Sequence, residues 1–472
     1  MRINMPGSIA GFTYCVVPSL IALRLDVCRG STSLPSDLDL VSTLSLVAND
    51  FSINDIGISQ RVSSILSNVA QIKNRKDSRT HSVQSVWTRL GSIFTNNATD
   101  ILEFANDITA SGLIPSRVLA WLNDYATIDL DAIHRNNPSP ENLSIYPYKA
   151  KSDAPYSVAE NTLRAAIHIP KSFSLKQDKK LPVLLVPGTA VPAAINFYFN
   201  FGKLSKALPE SDLVWVDLPQ ASLGDIQLNA EYVAYALNYV SALTSSNIAV
   251  ISWSQGALDI QWALKYWPST RNVVNDFIAI SPDFHGTIVR WMACPLLSQL
   301  ACTPSIWQQG WDANFIQVLR SNRGDSAYVP TTTIYSSFDT VVMPMSGENA
   351  SARLLDHSGV GVSNNHLQTI CANKAAGGLY THEGVLYNPL AWALTVDALR
   401  HDGPGNITRI DIQKICEQLL PPFLDLSDML GTEALVLVAL AKILTYSPKG
   451  FGEPDIAEYA YLSGDQNQDN QG

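Results

Sequence analysis

Long apolar runs and clusters of positive charge are both missing from this 472-residue sequence. No window reaches about 18 uninterrupted apolar residues, so a membrane-spanning helix is not predicted. No segment is rich in Lys or Arg, and the formal net charge is −10, which gives no footing for nucleic acid or an anionic membrane surface. Repeats and low complexity are absent apart from the polar tail 464–472, which we expect to be disordered.

Cysteine is also scarce, with six residues in the whole chain. Near the N-terminus, Arg2 is followed by an apolar stretch from about Ile9 to Leu25, which favours a secretory signal over residues 1–30. The cysteines and four Asn-x-Ser/Thr glycosylation acceptors point the same way, so we expect a secreted protein. The acceptors are Asn97, Asn142, Asn349 and Asn406.

Residues 31–140 have a helical pattern with no chemical motif. One apolar stripe at helical spacing consists of Val62, Ile65, Leu66, Val69 and Ile72, and a second consists of Val83, Val86, Trp87, Leu90 and Phe94. Residues 101–108 and 116–125 suggest two more helices. This region is a helical extension or a pro-region: it covers the rest of the chain, is removed, or folds separately. A proline-containing linker near residue 140 precedes the main domain, residues 141–463.

The main domain alternates short apolar runs with helical segments. The runs that predict strands are 163–169, 181–186, 213–216, 248–251, 277–280 and 332–335, and a helix is predicted over 231–243. The run 181–186 is continuous and apolar, as in strands that are buried on both faces of a parallel sheet. The pattern therefore predicts an α/β fold, with a mostly parallel sheet flanked by helices.

A strand, a tight turn and a helix meet at Ser252-Trp-Ser-Gln-Gly256. A strand that turns directly into a helix strains the turn residue and needs small neighbours, which Ser252 and Gly256 supply. Such an elbow exposes the hydroxyl of Ser254 above the sheet as a nucleophile. The amide of Gln255 then points to where an acyl oxyanion would form. The alternative is a chance match, because the motif usually opens with Gly.

A serine nucleophile requires a base and an acid that orients it, in the chain order Ser, Asp or Glu, His. Asp283 and Asp339 both follow predicted strands, and Asp339 fits the later position better. His382 lies in a glycine-rich loop before a predicted helix, which suits a base. His357, beside Asp356, is the competitor, and its alternative interpretation is a surface histidine.

A second oxyanion donor is expected from the loop after an earlier strand. Pro187-Gly188-Thr189 follows the run 181–186, and Thr189 offers both an amide and a hydroxyl. The alternative interpretation of these residues is a plain turn at the end of a strand.

These residues and several longer motifs resemble the fungal lipase B family, the Candida antarctica lipase B-like group of the α/β-hydrolases, over about residues 153–462. The motifs are Leu184-Leu-Val-Pro-Gly-Thr189, Asn229-Ala-Glu-Tyr232, Ser252-Trp-Ser-Gln-Gly256, Ser281-Pro-Asp-Phe-His-Gly-Thr287, Pro304-Ser-Ile-Trp-Gln-Gln309, Val329-Pro-Thr-Thr332, Tyr335-Ser-Ser-Phe-Asp339 and Glu453-Pro-Asp455. The family consists of secreted triacylglycerol lipases and esterases.

The resemblance implies a role for each matching residue. It implies a catalytic triad of Ser254, Asp339 and His382, with an oxyanion hole at Thr189 and Gln255. The implied substrate pocket contains Trp253, Asp283 and Gln309. No cofactor or metal is implied. The expected partner is a lipid or small ester substrate, at a lipid–water interface or in solution, and the expected state is a monomer.

Cysteine positions show both agreement with the family and departure from it. Two family disulfides lack their cysteines here, and only Cys371 and Cys416 match a family pair. The helical extension and a longer stretch between Gly286 and Pro304 also depart from the family. Acyl-chain length and stereoselectivity are therefore not transferred to this chain.

A further disulfide is expected between Cys294 and Cys302. The segment between them is apolar and suited to lipid contact, and in the resembled family it carries a short mobile helix. In a straight helix the two Cα atoms would lie about 12 Å apart, too far for a disulfide. Because Pro295 discourages a helix, we expect a bridge and a clamped cap, which would weaken interfacial activation.

The leading hypothesis for the function is a serine carboxylic ester hydrolase of lipase type that forms an acyl-enzyme on Ser254. One alternative is an acyltransferase of the same fold, in which an alcohol takes the acyl group. Another is a non-catalytic binding protein with the hydrolase fold, against which the intact triad argues.

Overall fold

A seven-stranded β-sheet lies at the centre of the protein in a computed structural model, which describes residues 40–54, 56–74, 82–95, 100–126, 137–139, 144–174, 180–290, 293 and 302–465. Its strands are β1 Ile167–His168, β2 Leu181–Val186, β3 Ser211–Val216, β4 Ile248–Trp253, β5 Val274–Ile280, β6 Thr331–Tyr335 and β7 Val362–His366. The order across the sheet is β1-β3-β2-β4-β5-β6-β7. Strand β1 is antiparallel to β3, and all the other pairs are parallel.

Helices cover both faces of this sheet, and others precede it in the sequence. They are α1 Leu40–Asn54, α2 Ile56–Asn74, α3 Val83–Thr95, α4 Ile101–Ala110, α5 Ser116–Ala126, α6 Glu160–Ala165, α7 Ala193–Tyr198, α8 Ile226–Thr244, α9 Gly256–Tyr266, α10 Pro304–Gln308, α11 Asn314–Arg320, α12 Leu367–Ile370, α13 Pro389–Arg400, α14 Ile412–Cys416, α15 Leu426–Glu433, α16 Leu435–Thr445 and α17 Glu458–Asp465. Short 3-10 turns connect several of them.

The two faces of the sheet belong to two separate apolar cores. Side chains alternate along a strand, so neighbours in sequence point to opposite faces. Val183 and Ile251 therefore join one core, and Leu184 and Val250 join the other. Both faces are covered by helices, which explains why the central strands are continuous apolar runs. The predicted α/β fold with a mostly parallel sheet is confirmed.

The strand predicted over residues 163–169 is wrong in most of its length. Helix α6 occupies residues 160–165, and only the two residues of β1 pair with the sheet. Glu160 stabilises the helix, because its carboxylate contacts Arg164 four residues later at 3.5 Å and accepts a hydrogen bond from the Tyr235 hydroxyl.

Strand β7 was not predicted, because its sequence is largely polar. It lies at the edge of the sheet, where it pairs only with β6. The amide of Asn365 compensates for the polarity: it donates hydrogen bonds to the carbonyl of Thr333 on β6 and to Ser363 on β7.

Helices α1 to α5 of the extension pack against the rest of the protein. Trp87 of α3 contacts the ring of Tyr380 edge-on at 4.6 Å, and Trp121 of α5 stacks on Tyr198 at 4.2 Å. The predicted apolar stripe of α2 is buried through Val62 and Ile65. The contacts between residues divide the chain into two compact units. Residues 33–472 form one of them, and the other, residues 1–32, lies outside the described residues.

Two other expectations concern the ends of the chain and the membrane. The expected signal segment 1–30 lies outside the described residues, as does the tail from residue 466, whereas residues 464 and 465 end helix α17. Among the described helices, none has the combination of length and apolar character that crossing a bilayer requires.

The expected disulfide between Cys371 and Cys416 is present, with the Cα atoms 5.2 Å apart. It joins the residue after α12 to the end of α14 and thereby closes the segment that contains His382. Cys302 is also disulfide-bonded, but Cys294 lies outside the described residues, so the pairing of Cys294 with Cys302 stays a prediction.

We predict that replacing Cys371 and Cys416 together by Ala lowers the free energy of unfolding by about 3–4 kcal/mol, because the bridge closes a long loop in the unfolded chain. Urea unfolding of the variant and of the oxidised wild type measures the difference. Reduced protein is the control: because Cys302 is also disulfide-bonded, reduced wild type and reduced variant should have equal stability, each lower than that of the oxidised variant; a variant as stable as the oxidised wild type would contradict the prediction.

Candidate active site

Ser254 sits in the turn between strand β4 and helix α9. Its φ angle is +54°, a left-handed conformation that is uncommon for any residue other than glycine. The amide of Ser254 donates a hydrogen bond of 2.9 Å to the carbonyl of Ile280 on the neighbouring strand, which ties the strained turn to the sheet. Strain of this kind in a strand–turn–helix unit is typical of a nucleophile elbow.

Two glycines let the backbone approach the elbow closely. A Cβ atom on Gly256 would lie 2.6 Å from the carbonyl oxygen of Pro187 and 2.7 Å from that of Val186. A Cβ atom on Gly188 would lie 2.6 Å from Cε3 of Trp253. Larger residues do not fit at either position, so the start of α9 and the end of β2 stay in contact.

Ser254, His382 and Asp339 form a continuous chain of polar contacts. Nε2 of His382 lies 2.8 Å from the Ser254 hydroxyl, and Nδ1 lies 2.6 Å from the Asp339 carboxylate. The other carboxylate oxygen of Asp339 accepts hydrogen bonds from the amides of Val341 and Val342. All three groups are buried, with at most 3% of each residue exposed. The histidine is therefore held in one orientation, with Nε2 directed at the serine.

The backbone of His382 is also held in place. Its carbonyl accepts hydrogen bonds from the indole of Trp253 and the hydroxyl of Ser281, each at 3.1 Å. Burial lowers the pKa of His382, but the charge and hydrogen bond of Asp339, with the charges of Glu383 and Asp283, outweigh burial and raise the pKa above the usual value.

Thr189 lines the same cavity as Ser254, and Gln255 follows Ser254 in the chain. Among the described residues, neither backbone amide has a hydrogen-bond acceptor. Their side chains are occupied: the Thr189 hydroxyl donates to Oε1 of Gln255 at 2.8 Å, and the Gln255 amide group donates to the carbonyl of Ser222. Gln309 completes the cluster by donating to Oε1 of Gln255 at 3.0 Å. Two free amides beside a hydroxyl are what the oxyanion of an acyl-transfer intermediate requires.

A narrow cavity of about 90 Å³ opens beside Ser254 and His382. Its other walls come from two helices and from polar residues of several loops. They are Ile101 and Phe104 of α4, Val436, Ala439 and Ile443 of α16, and a polar group that includes Thr189, Gln309, Arg290 and Glu383. The cavity therefore places the Ser254–His382 pair beside an apolar surface suited to a hydrocarbon chain.

Comparisons with known proteins identify this arrangement. No family model matches the chain. Lipase B of Pseudozyma antarctica is 31% identical to it over 313 residues, which cover 66% of this chain and 87% of that protein. The chain belongs to the lipase B family. The crystal structure of Aspergillus fumigatus lipase B is 60% identical, covers 90% of this chain and 100% of its own, and superposes with a TM-score of 0.85. The resemblance to lipase B drawn from the motifs is confirmed.

Within this lipase B family member, the structure brings together most residues that the sequence suggested. Thr189, Trp253, Ser254, Gln309 and His382 all line the cavity. Asp283 is completely buried and is not among the cavity-lining residues of the described chain, so its place in the substrate pocket stays a prediction. The competing base, His357, is exposed on a loop.

Sequence reasoning missed Glu383, which follows His382 directly, and the cavity-lining residues Ile101 and Phe104 of the extension. The position of Glu383 beside the expected base was a usable signal. Nothing in the apolar pattern of α4 distinguished residues that face a cavity from residues that face a core, because both faces require apolar side chains.

Buried carboxyl groups accumulate near the active site of this lipase. Burial, with the charge of Asp339, raises the pKa of Asp283 to about 7, partly opposed by a protonated His382. Burial and the charge of Asp283 also raise the pKa of Asp259, whose oxygens lack partners among the described residues. These acids therefore ionise at higher pH than exposed carboxyl groups do, because an unpaired charge in an apolar interior is costly.

We predict that Gly256→Ala lowers the free energy of unfolding by about 1–3 kcal/mol and reduces turnover, because the methyl group pushes α9 away from the ends of β2. Thermal melting and ester hydrolysis measure the two effects. The control is Gly91→Ala on α3, where nothing lies within 4 Å of the added Cβ atom; equal behaviour of the two variants would refute the prediction.

Proposed function

We propose that this lipase B family member hydrolyses carboxylic esters through an acyl-enzyme on Ser254. The observation that carries the proposal is the contact chain from Asp339 through His382 to the Ser254 hydroxyl, beside an apolar cavity. Ser254 is the nucleophile, His382 the base and Asp339 the group that orients the base. Thr189 and Gln255 supply the oxyanion hole.

The reaction follows from this geometry in two halves. Nε2 of His382 takes the hydroxyl proton while the Ser254 oxygen attacks the ester carbonyl, and the two amides stabilise the oxyanion. His382 then gives its proton to the leaving alcohol as the ester bond breaks. In the second half His382 takes a proton from water while the water oxygen attacks the acyl-enzyme. His382 then returns this proton to the Ser254 oxygen as its bond to the acyl group breaks, which restores the hydroxyl and releases the acid.

The substrate class follows from the cavity walls and from the named relatives. Apolar residues of α4 and α16 beside the serine support an acyl chain as the group that binds there. Triacylglycerols and small esters are accordingly the proposed substrates, taken at a lipid–water interface or from solution. Trp253, Asp283 and Gln309 are the proposed substrate-pocket residues, which the position of Trp253 and Gln309 in the cavity wall supports. A non-catalytic binding role is not favoured, because it would not require the aligned serine and histidine.

We also propose that residues 31–140 remain with the enzyme as a helical extension and that the hydrolase domain spans 141–463. The contacts of Trp87 and Trp121 and the position of Phe104 in the cavity wall support this. The aligned part of Aspergillus fumigatus lipase B covers 90% of this chain, a share that residues 141–463 cannot supply alone.

Secretion of a monomeric glycoprotein is proposed as well. The Cys371–Cys416 disulfide supports an oxidising compartment. The acceptor residues Asn349 and Asn406 are exposed, whereas Asn97 and Asn142 lie outside the described residues. The bridge between Cys294 and Cys302 belongs to the same proposal.

Replacing Ser254 or His382 by Ala should reduce kcat by about a millionfold, and Asp339→Ala by about ten-thousandfold, because the three groups act as one unit. The losses should not add in double variants. Single-turnover release of p-nitrophenol from a short acyl ester measures them. His357→Ala is the control and should be nearly silent; a large loss there with an active His382→Ala protein would assign the base to His357.

The pH dependence of kcat/KM should report the raised pKa of His382. The base must be neutral to accept the serine proton, and a raised pKa extends the protonated form to higher pH. We therefore expect kcat/KM to rise with pH and to reach half its plateau above about pH 6.5, the usual pKa of histidine. Titration of released acid from a soluble ester measures the profile. A midpoint below that value would contradict the assigned electrostatics.

A further inference from the structure

An open groove of about 600 Å³ lies beside helix α13, outside the active site. Helix α13, residues 409–423 and residues 206–207 supply its walls, and we call it the α13 groove. Among the described residues, none lines both this groove and the cavity beside Ser254. Its volume falls within the range of about 300–1,000 Å³ that is typical of small-molecule sites.

Apolar side chains in the α13 groove remain partly uncovered. Val396 of α13, Ile410, Ile415 and Phe423 all line the groove and are only half-buried. Behind them lies the buried ring of Trp392, whose centroid is 4.8 Å from that of Phe423. Apolar groups that meet in one concave surface and stay in contact with water are suited to binding the apolar part of a ligand. The groove therefore offers a surface for a hydrocarbon chain.

Positive charge predominates in the α13 groove, although the chain as a whole has a net charge of −10. Besides His401, its charged lining residues are Lys206, Arg400, Arg409, Lys414, Asp397 and Asp411. Lysine and arginine thus outnumber the carboxylates. A concave surface with an excess of one charge attracts ligands of the opposite charge, so this groove favours an anion.

Both carboxylates of the groove already have partners within the protein. Asp397 accepts hydrogen bonds from the guanidinium group of Arg409, the shortest at 2.7 Å. Asp411 is the N-cap of α14, and its carboxylate accepts the backbone N–H of Lys414. These acids therefore neutralise Arg409 and complete a helix end, and neither of them forms an ion pair with a lysine of the groove.

Two lysines are the cations of the groove that lack a partner. Arg400 pairs with Glu210 at 3.0 Å. The exposed amino groups of Lys206 and Lys414, in contrast, have no ion pair and no hydrogen bond among the described residues. Phosphate groups favour bidentate contacts from arginine, and both arginines of this groove are engaged. A lysine ammonium is a compact charge that also binds a single carboxylate.

We propose that the α13 groove is a non-catalytic binding site for an alkyl carboxylate of medium length. The chain lies on the apolar side chains, and the carboxylate lies at Lys206 and Lys414. The inference goes beyond the proposed function, because this binding requires neither Ser254 nor turnover. The ligand belongs to the class of acids that the proposed reaction releases, so the groove would hold such a product outside the cavity in which it forms.

The test measures the binding of monomeric octanoate by isothermal titration calorimetry. The full-length protein is first treated with diethyl 4-nitrophenyl phosphate, which phosphorylates Ser254 and blocks the active-site cavity. The double variant Lys206→Gln/Lys414→Gln should bind octanoate about threefold to tenfold more weakly, as expected for the loss of two exposed ion pairs. Acetate, which lacks the chain, and 1-octanol, which lacks the charge, should both bind more weakly than octanoate.

The matched control is Lys151→Gln/Lys171→Gln, which removes the same charge from two exposed lysines outside the groove and should leave the affinity unchanged. Ala393→Glu, which adds a carboxylate to the groove wall on α13, should abolish measurable binding. Thermal melting shows whether each variant is folded, and the lysine variants alter only exposed side chains. An affinity unchanged by Lys206→Gln/Lys414→Gln, or equal binding of acetate and octanoate, would overturn the inference.

An anionic lipid surface is the competing ligand, and sedimentation with phosphatidylglycerol vesicles distinguishes it. Vesicle binding that depends on Lys206 and Lys414, without binding of monomeric octanoate, would refute the proposed site and indicate a membrane contact. The proposed function fails separately if Ser254 does not react with the phosphate ester. In that case octanoate binding by the unmodified protein and by its lysine variants still tests the groove.

Discussion

The close contact between the start of helix α9 and the end of strand β2 is the constraint on which the active site depends. Gly256 brings the helix against the carbonyls of Val186 and Pro187. The turn between the strand and the helix holds Ser254 at a φ angle of +54°, as is typical of a nucleophile elbow. The same contact places Thr189, just beyond β2, beside Gln255, so the two amides proposed for the oxyanion hole come from neighbouring residues.

The histidine is fixed from two directions. Its side chain is oriented by Asp339, and its carbonyl is held by Trp253 and Ser281. Trp253 is the last residue of β4 and Ser281 follows β5. Hydrogen bonds from the ends of these two strands therefore hold the backbone of His382, and the same two strands position Ser254. The loop that carries His382 is far from β4 and β5 in the sequence, but these hydrogen bonds fix its position relative to the sheet. Such fixing is needed for a proton transfer over the 2.8 Å between His382 and Ser254.

Negative groups dominate the electrostatics around the base. The charges of Asp339, Glu383 and Asp283 raise the pKa of His382, while burial raises the pKa values of Glu383, Asp283 and Glu433. Asp283 and Asp259 oppose each other's ionisation, and so do Glu383 and Glu433. Unpartnered buried acids reduce stability. Their accumulation beside the reactive serine fits the general observation that local rules of folding are broken at functional sites.

The sequence by itself determined the sheet, the elbow and the helices of the extension, because these follow from local periodicity and the need for small residues at a strained turn. Strand β2 has the predicted bounds, and Ser254 was identified from its neighbours. The alternation over residues 163–169 fitted a strand, but residues 160–165 form helix α6, along which Glu160 pairs with Arg164. Strand β7 is polar and depends on hydrogen bonds to its neighbour. Only the tertiary structure decided that Phe104 and Glu383 reach the cavity, because a distance between residues far apart in sequence is set by packing, which no local pattern encodes.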